Sequence, residues 1–341
     1  MQERYSRQQL FTPIGLEGQQ KINCKTVLII GAGALGAASA ESLVRAGIGK
    51  LVIVDRDYVE VSNLQRQQLY EERDATLRIP KAEAAKAHLQ SINSAVTIES
   101  HVADADVELL SQLVLEADVL LDATDNFDTR MIINDIAQKY NTPWIYGACV
   151  GSYGISFTII PGKTPCLNCL LETVPLGGAT CDTVGIISPT VQMVVAHQVA
   201  EALKLLVEDE GALRQTVVSF DLWQHNYQSI HVQSAKQSAC TSCGPDATYP
   251  YLHYDQQMKS AVLCGRDTVQ LRPAPGNHKI DLNELSKRMA SLGKVEQNPF
   301  LLSFQPYNMK ERMVVFQDNR VLIHGTKDIH EAKKLYYQWI G

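Results

Sequence analysis

The chain has no basic run. Its 31 lysines and arginines stand against 37 aspartates and glutamates, a formal net charge of −6 over 341 residues. Such a chain lacks the electrostatic footprint of nucleic-acid binding, so no nucleic-acid partner is expected. An apolar leader is missing too: Met1-Gln-Glu-Arg-Tyr-Ser-Arg7 is charged where a secretory signal would carry its hydrophobic core, which argues for a cytoplasmic protein. The longest uncharged stretch, Tyr140 to Gly162, could cross a bilayer by length alone. Pro143, Pro161 and four glycines interrupt it, so it reads as buried strands and no membrane partner is expected. The nine histidines form no HxH or HExxH spacing, and His197 falls on an apolar helix face, where packing is expected rather than ligation. A disulfide scaffold is excluded by the same compartment argument, which leaves metal binding or catalysis for the eight cysteines.

What is present is a globular composition, 45% hydrophobic and 20% charged. At roughly 150 residues per domain the length suits two domains. A β-branched run, Lys25 to Ile30, leads into glycines 31–36, a helix-forming stretch Ala37 to Ala46, and a second apolar strand, Leu51 to Asp55. A strand, helix and strand within about 30 residues implies a parallel sheet with a right-handed crossover. Val96 to Ser100 and Val119 to Asp122 continue the strands, with helices at Pro80 to Ile92 and Val107 to Glu116. Ser156 to Ile160 and Val217 to Asp221 read as further strands, and Thr190 to Glu208 as a long helix entered through Ser188-Pro189. The expected fold is α/β, a Rossmann-like nucleotide-binding domain over residues 1–250 with a mixed central sheet. Gly244 to Tyr254 reads as a linker. Residues 255–341 then form a small α+β module with strands at Thr268 to Arg272, Phe300 to Gln305, Met313 to Gln317 and Val321 to His324, and helices at Leu282 to Leu292 and Ile329 to Ile340. Asp318-Asn319 is its hairpin signal.

Gly31-Ala-Gly33-Ala-Leu-Gly36 follows a strand and opens a helix, the context in which glycines let phosphate approach backbone N–H groups at the positive helix end. Asp55 ends the next strand, where a carboxylate can accept hydrogen bonds from ribose. The stretch from Asp55 to Gln67 adds Asp57, Asn63, Arg66 and Gln67, and Pro80-Lys81 follows at a helix start. A guanidinium, an ammonium and an amide suit a triphosphate that an anionic carboxylate must attack, which favours ATP over a dinucleotide. Asp125, in Asp122-Ala-Thr-Asp-Asn126, lies at the carboxyl edge of the sheet and can hold Mg²⁺. Each residue also has a plainer reading: Arg66 in a surface ion pair, Lys81 as a solvated helix residue, Asp125 as a helix N-cap.

Cys166-Leu-Asn-Cys169 and Cys240-Thr-Ser-Cys243 have the spacing of a tetrahedral four-cysteine zinc site, although the pairs can meet only through the fold. A redox CxxC and four buried thiols are the competing readings. A closed shell of four cysteines leaves no open position, so such a zinc would be structural. Cys181 lies in an uncharged glycine-containing loop, residues 177–185, from which a thiol could reach an acyl adenylate. Cys24, Cys149 and Cys264 have no partner in the sequence pattern.

Arg4-Tyr-Ser-Arg7-Gln, the glycine loop, Ser62-Asn-Leu-Gln-Arg-Gln67, Pro80-Lys81, Asp122-Ala-Thr-Asp-Asn126, Thr180-Cys181 and both CxxC pairs together resemble the ThiF/MoeB adenylyltransferases of the ubiquitin-activating superfamily. The resemblance runs from residue 4 to about 244. It implies adenylation of the C-terminal Gly-Gly carboxylate of a ubiquitin-like sulfur-carrier protein, of ThiS or MoaD type, with ATP and Mg²⁺ and with a sulfur donor such as a cysteine desulfurase. By the same resemblance Asp55 binds ribose, Asn63, Arg66 and Lys81 bind phosphates, Asp125 binds Mg²⁺, and Asp57 and Gln67 belong to the nucleotide site. Arg7 resembles the arginine that homodimers of this family insert into the partner's ATP site, and Cys181 the cysteine that in some relatives links to the carrier or takes part in sulfur transfer. A dinucleotide-dependent redox enzyme and a non-catalytic carrier-binding scaffold stay open as alternatives. The C-terminal module contains no CRxGxxS loop and has no readable role.

Overall fold

A computed structural model of the chain describes residues 3–173, 185–253, 259–262, 267–272 and 280–340. It divides into two compact units, Met1–His253 and Tyr254–Gly341. The first is built on an eight-stranded sheet of β1 (Thr26–Ile30), β2 (Lys50–Asp55), β3 (Thr97–Val102), β4 (Val119–Asp122), β5 (Trp144–Val150), β6 (Tyr153–Ile159), β7 (Thr216–Asp221) and β8 (Asn226–His231). Their order is β3-β2-β1-β4-β5-β6-β7-β8. The first five strands in that order are parallel; the last three join antiparallel.

β1 and β2 are apolar at every buried position because both faces are covered. Along β1 and β2, Val27, Ile29, Leu51 and Ile53 pack into one core with the helices Ala34–Ala46 and Lys81–Ile92. Leu28, Ile30, Val52 and Val54 pack on the opposite face with Met131, Ile133, Ile136 and Ala137 of the helix Phe127–Tyr140. β2 and β4 pair with opposite edges of β1. The loops after β1 and β4 therefore diverge from a topological switch point, and a crevice opens there at the carboxyl edge.

The uncharged stretch from Tyr140 does become two strands, β5 and β6, and no helix among the described residues is long and apolar enough to cross a membrane. Several boundaries differ from the sequence reading. The helix predicted from Ala37 begins at Ala34, since Gly33 already serves as its N-cap. The helix predicted over Val107 to Glu116 stops at Leu113 and finishes in a single 3-10 turn. The strand expected at Ser156 begins three residues earlier, at Tyr153. β8 gives no sequence signal because all six of its residues are exposed.

The second unit has β9 (Lys259–Val262), β10 (Thr268–Arg272), β11 (Gly293–Gln297), β12 (Leu301–Pro306), β13 (Arg312–Phe316) and β14 (Val321–His324), in the order β11-β12-β13-β14-β10-β9. Every pairing is antiparallel. Leu282, Leu285 and Met289 of the helix Leu282–Met289, with Ala332, Leu335 and Tyr336 of the helix Ile329–Trp339, share a core with Val269, Leu302, Phe304, Met313 and Ile323. The hairpin at Asp318-Asn319 forms, with Asn319 at φ +67° and the Phe316 N–H donating to the Arg320 carbonyl at 2.9 Å.

Candidate nucleotide and metal sites

The glycine loop after β1 separates two uses of glycine. A methyl group on Gly31 would lie 2.5 Å from the Ala123 carbonyl oxygen, and one on Gly36 would lie 1.8 Å from the Gly31 carbonyl oxygen, so both are required by packing, Gly31 against the loop after β4 and Gly36 within the turn itself. Gly33 is different. The protein atom nearest to a methyl there would be Gln67 Nε2 at 3.9 Å, so the missing side chain leaves open space above the loop. No side chain caps the helix Ala34–Ala46 at Gly33. The first N–H groups of that helix therefore face the opening without intrahelical partners, at the positive end of the helix. Gln67 is buried beside them, and its Oε1 has no hydrogen-bond partner. An uncapped helix start and an empty cradle together fit the phosphates of a nucleotide.

Asp55 accepts the Ala32 and Asp57 N–H groups, each at 2.6 Å, one on each carboxylate oxygen. Burial pushes this carboxyl up, and the Lys81 ammonium pulls it back down. Lys81 is buried at the first position of its helix, where the dipole disfavours a cation. Its ammonium is 3.3 Å from the Asp57 carboxylate, and its backbone N–H donates to the Asp57 carbonyl at 2.8 Å. The solvated reading of Lys81 is thereby excluded, and Asp57 acts on the lysine. Asn63 is buried, with its amide oxygen accepting the Glu60 N–H at 3.1 Å in a capping box, so that oxygen serves the turn Val61–Asn63. Arg66 donates to the Ser62 carbonyl at 3.0 Å and has no carboxylate partner among the described residues, which removes its ion-pair reading.

The loop after β4 assigns its two carboxylates different tasks. Asp122 is fully buried and accepts Arg130 Nε at 2.9 Å, the Thr124 N–H at 2.9 Å and the Thr124 hydroxyl at 2.7 Å. Arg130 also donates to the Thr124 carbonyl at 2.6 Å, and Gln198 Nε2 donates to the Asp122 carbonyl at 2.7 Å. Asp125 is exposed, and the helix N-cap is its neighbour: Asn126 Oδ1 accepts the Thr129 N–H at 2.9 Å. The N-cap reading of Asp125 thus fails, and its carboxylate is presented at the edge of the crevice. Arg130 and Gln198 have no local sequence signal, because each acts on a loop that only the fold brings to it.

Arg7 is not brought to the glycine loop of its own chain. Tyr5 packs against Gly47, and Gln8 donates to the Ala46 carbonyl at 3.0 Å. Both anchors lie at the far end of the helix Ala34–Ala46, about 20 Å from Gly33 at 1.5 Å per residue. Arg7 itself is exposed and has no polar partner among the described residues.

The two CxxC pairs do meet. Sγ atoms of Cys166 and Cys169 are 3.8 Å apart, those of Cys166 and Cys240 3.6 Å, and those of Cys169 and Cys243 3.5 Å, and all four lie within 4.8 Å of one another. A tetrahedron with ligands about 2.3 Å from zinc has edges of about 3.8 Å, so the spacing fits a metal and is too long for a disulfide. Sulfhydryl contact with Cys243 and burial push Cys166 up, burial pushes Cys169 up to about 11, and donation from Cys166 draws Cys243 down to about 5. The helix Phe127–Tyr140 holds both arms of the cluster: Asn134 Oδ1 accepts the Leu167 N–H at 2.8 Å and Asp135 Oδ2 the Tyr251 N–H at 2.9 Å. Cys24 is exposed and Cys149 half-buried. Cys181 and Cys264 lie outside the described residues. His197 packs as expected, against the stacked rings of Phe220 and Tyr227, with Arg214 3.1 Å from its Nδ1.

Comparison with known proteins follows the same lines. Residues 5–242 match the ThiF family. The chain is 52% identical over 342 residues to the sulfur carrier protein ThiS adenylyltransferase of Bacillus subtilis, covering 100% of both chains. It is 37% identical over 245 residues to the Escherichia coli protein of the same name, covering 71% of this chain and 94% of that one. The crystal structure of E. coli MccB with ATP shares the fold at a TM-score of 0.62 and 23% identity, over 72% of this chain and 75% of that chain. The glycine loop, the crevice and the four-cysteine cluster are thus those of a chain that belongs to the ThiF family.

Proposed function

We propose that the protein adenylates the C-terminal Gly-Gly carboxylate of a ubiquitin-like sulfur-carrier protein at the expense of ATP. The observation that carries the nucleotide part is the open position over Gly33 at the uncapped start of the helix Ala34–Ala46. The carrier part rests on the activity named in the relatives from B. subtilis and E. coli, the first along its full length, and both names favour a carrier of ThiS type in thiamine synthesis. The carrier carboxylate attacks the α-phosphorus, the bond to the bridging oxygen breaks, and pyrophosphate leaves with that electron pair. A carboxylate nucleophile needs no general base, so the protein's contribution is positioning and charge neutralisation. Lys81 and Arg66 supply cations to the phosphates, with Asn63 and Gln67 as amide contacts and Asp55 toward the ribose. Asp125 would hold Mg²⁺, whose double charge offsets that of the triphosphate. The four cysteines would hold a structural zinc. The acyl adenylate then passes to a sulfur donor such as a cysteine desulfurase, with Cys181 as the thiol assigned to that stage. The setting is cytoplasmic, and carrier-dependent exchange of pyrophosphate into ATP is the test: purified protein that shows none with a Gly-Gly carrier is not this enzyme.

The reading includes a homodimer in which Arg7 completes the partner's site. Its support is the distance of Arg7 from its own glycine loop and the exposed position of Arg7, with no polar partner among the described residues. Arginine suits the role because its charge persists and its planar donors match phosphate oxygens. Arg7→Ala and Asp125→Ala proteins, each inactive alone, should regain activity on subunit exchange. Half of randomly mixed dimers carry one intact site of two, so recovery should reach about a quarter of the wild-type rate for a symmetric dimer. No recovery, with exchange verified by mass, would place Arg7 outside the partner's site.

A further inference from the structure

Tyr70 stands between two parts of the nucleotide site and has no role in the reading above. It is buried, and its hydroxyl is 2.6 Å from the Ala32 carbonyl oxygen and 3.2 Å from the Lys81 carbonyl oxygen. A phenol has one proton to donate, and the shorter contact marks Ala32 as the acceptor that receives it. The other face of the same residue is also occupied, since the Ala32 N–H donates to Asp55 Oδ2 at 2.6 Å. The single Ala32 N–H is therefore committed and not available to a ligand, and its carbonyl is held by the tyrosine. The next residues differ: Gly33, Ala34 and Leu35 open an uncapped helix, and the space above Gly33 is empty.

We propose that Tyr70 is a positioning residue for phosphate binding: with Asp55 it locks Ala32 so that the triphosphate is received by the N–H groups of Gly33, Ala34 and Leu35 and never by that of Ala32. The inference rests on the ATP-dependent reading given above. The same hydroxyl lies against the backbone of Lys81, so the loop and the lysine share one reference point. A loop whose carbonyl were free to turn toward the opening would present negative charge to the phosphates, which the tyrosine prevents.

Two measurements on the full-length protein test this. Amide exchange of the wild type should show the Ala32 N–H protected with and without ATP, and those of Gly33, Ala34 and Leu35 protected only with it. ATP-induced protection at Ala32, or none at the other three, overturns the assignment. Tyr70→Phe should weaken ATP binding about 10- to 100-fold, the scale of leaving one buried acceptor unpaired, while adenosine, which has no phosphate, binds as to wild type. An unchanged ATP affinity, or an equal loss for ATP and adenosine, overturns the role, the latter because a scaffold defect would not distinguish the ligands. The wild-type exchange measurement stands even if the variant fails to fold. Wild-type protein that binds no ATP would overturn the adenylation reading along with this one, whereas failure of the tyrosine role alone leaves wild-type ATP binding intact.

Discussion

Lys81→Met protein should exchange pyrophosphate into ATP about 10²- to 10³-fold more slowly than wild type, the scale for losing one preorganised electrostatic contact at a reacting phosphate. The reason lies in where the ammonium sits. It is buried on the first turn of a helix, a position that costs free energy for a cation, and it is retained there beside Asp57 and near Asp55. Methionine keeps the stem volume and removes the charge. A second effect follows from the carboxylates left behind. Lys81 is the group that lowers the Asp55 carboxyl against the upward push of burial. Without it the Asp55 carboxyl moves further up, so the ionised form that anchors the Ala32 N–H is reached only at higher pH. The residual activity of the variant should therefore rise at more alkaline pH than that of wild type. Arg66→Ala and Asp125→Ala should each cost at least roughly 10²-fold without that displacement of the pH profile. A folded Lys81→Met protein with wild-type exchange would remove the lysine from the site.

The second large effect concerns the cysteines. Structural zinc contributes on the order of 10–16 kcal/mol in small zinc peptides, as much as the whole stability of about 5–15 kcal/mol of an ordinary domain. Elemental analysis should find about one zinc per chain for a four-thiolate shell. Cys166→Ser should lose the metal and unfold at a markedly lower temperature, because the cluster joins residues 74 apart in the chain. A metal-free preparation with an unchanged melting transition would show that the cluster is not a structural metal site.

Much of the fold could be read in the sequence wherever one residue pattern sufficed. β1 and β2 announce themselves as buried runs of Val, Ile and Leu, and the glycines after β1 mark the turn, although only Gly36 answers to a clash within the loop itself, whereas Gly31 is required by Ala123 across the sheet. β8 could not be read, because an edge strand whose residues all face solvent has no apolar alternation to display. The candidate site divides in the same way. Gly33, Asp55 and Lys81 are visible because short-range context, strand end and helix start, gives them meaning. Asn63 is visible too, but its amide oxygen turns out to serve the local turn, an outcome set by the Glu60 backbone three residues away. Tyr70, Arg130 and Gln198 are not visible: each makes its decisive hydrogen bonds to residues 8 to 76 positions distant, and nothing in their neighbours predicts it.

The helix Phe127–Tyr140 begins at the cap beside Asp125 and, two turns on, grips both arms of the cysteine cluster through Asn134 and Asp135. One consequence concerns the newly made chain. Until Tyr251 has been synthesised Asp135 cannot accept its N–H, and the helix after Asp125 is held by its core residues Met131, Ile133, Ile136 and Ala137 and by Asn134. The contact that completes the hold on this helix thus forms only once residue 251 has been made, long after residues 31 to 125 have left the ribosome.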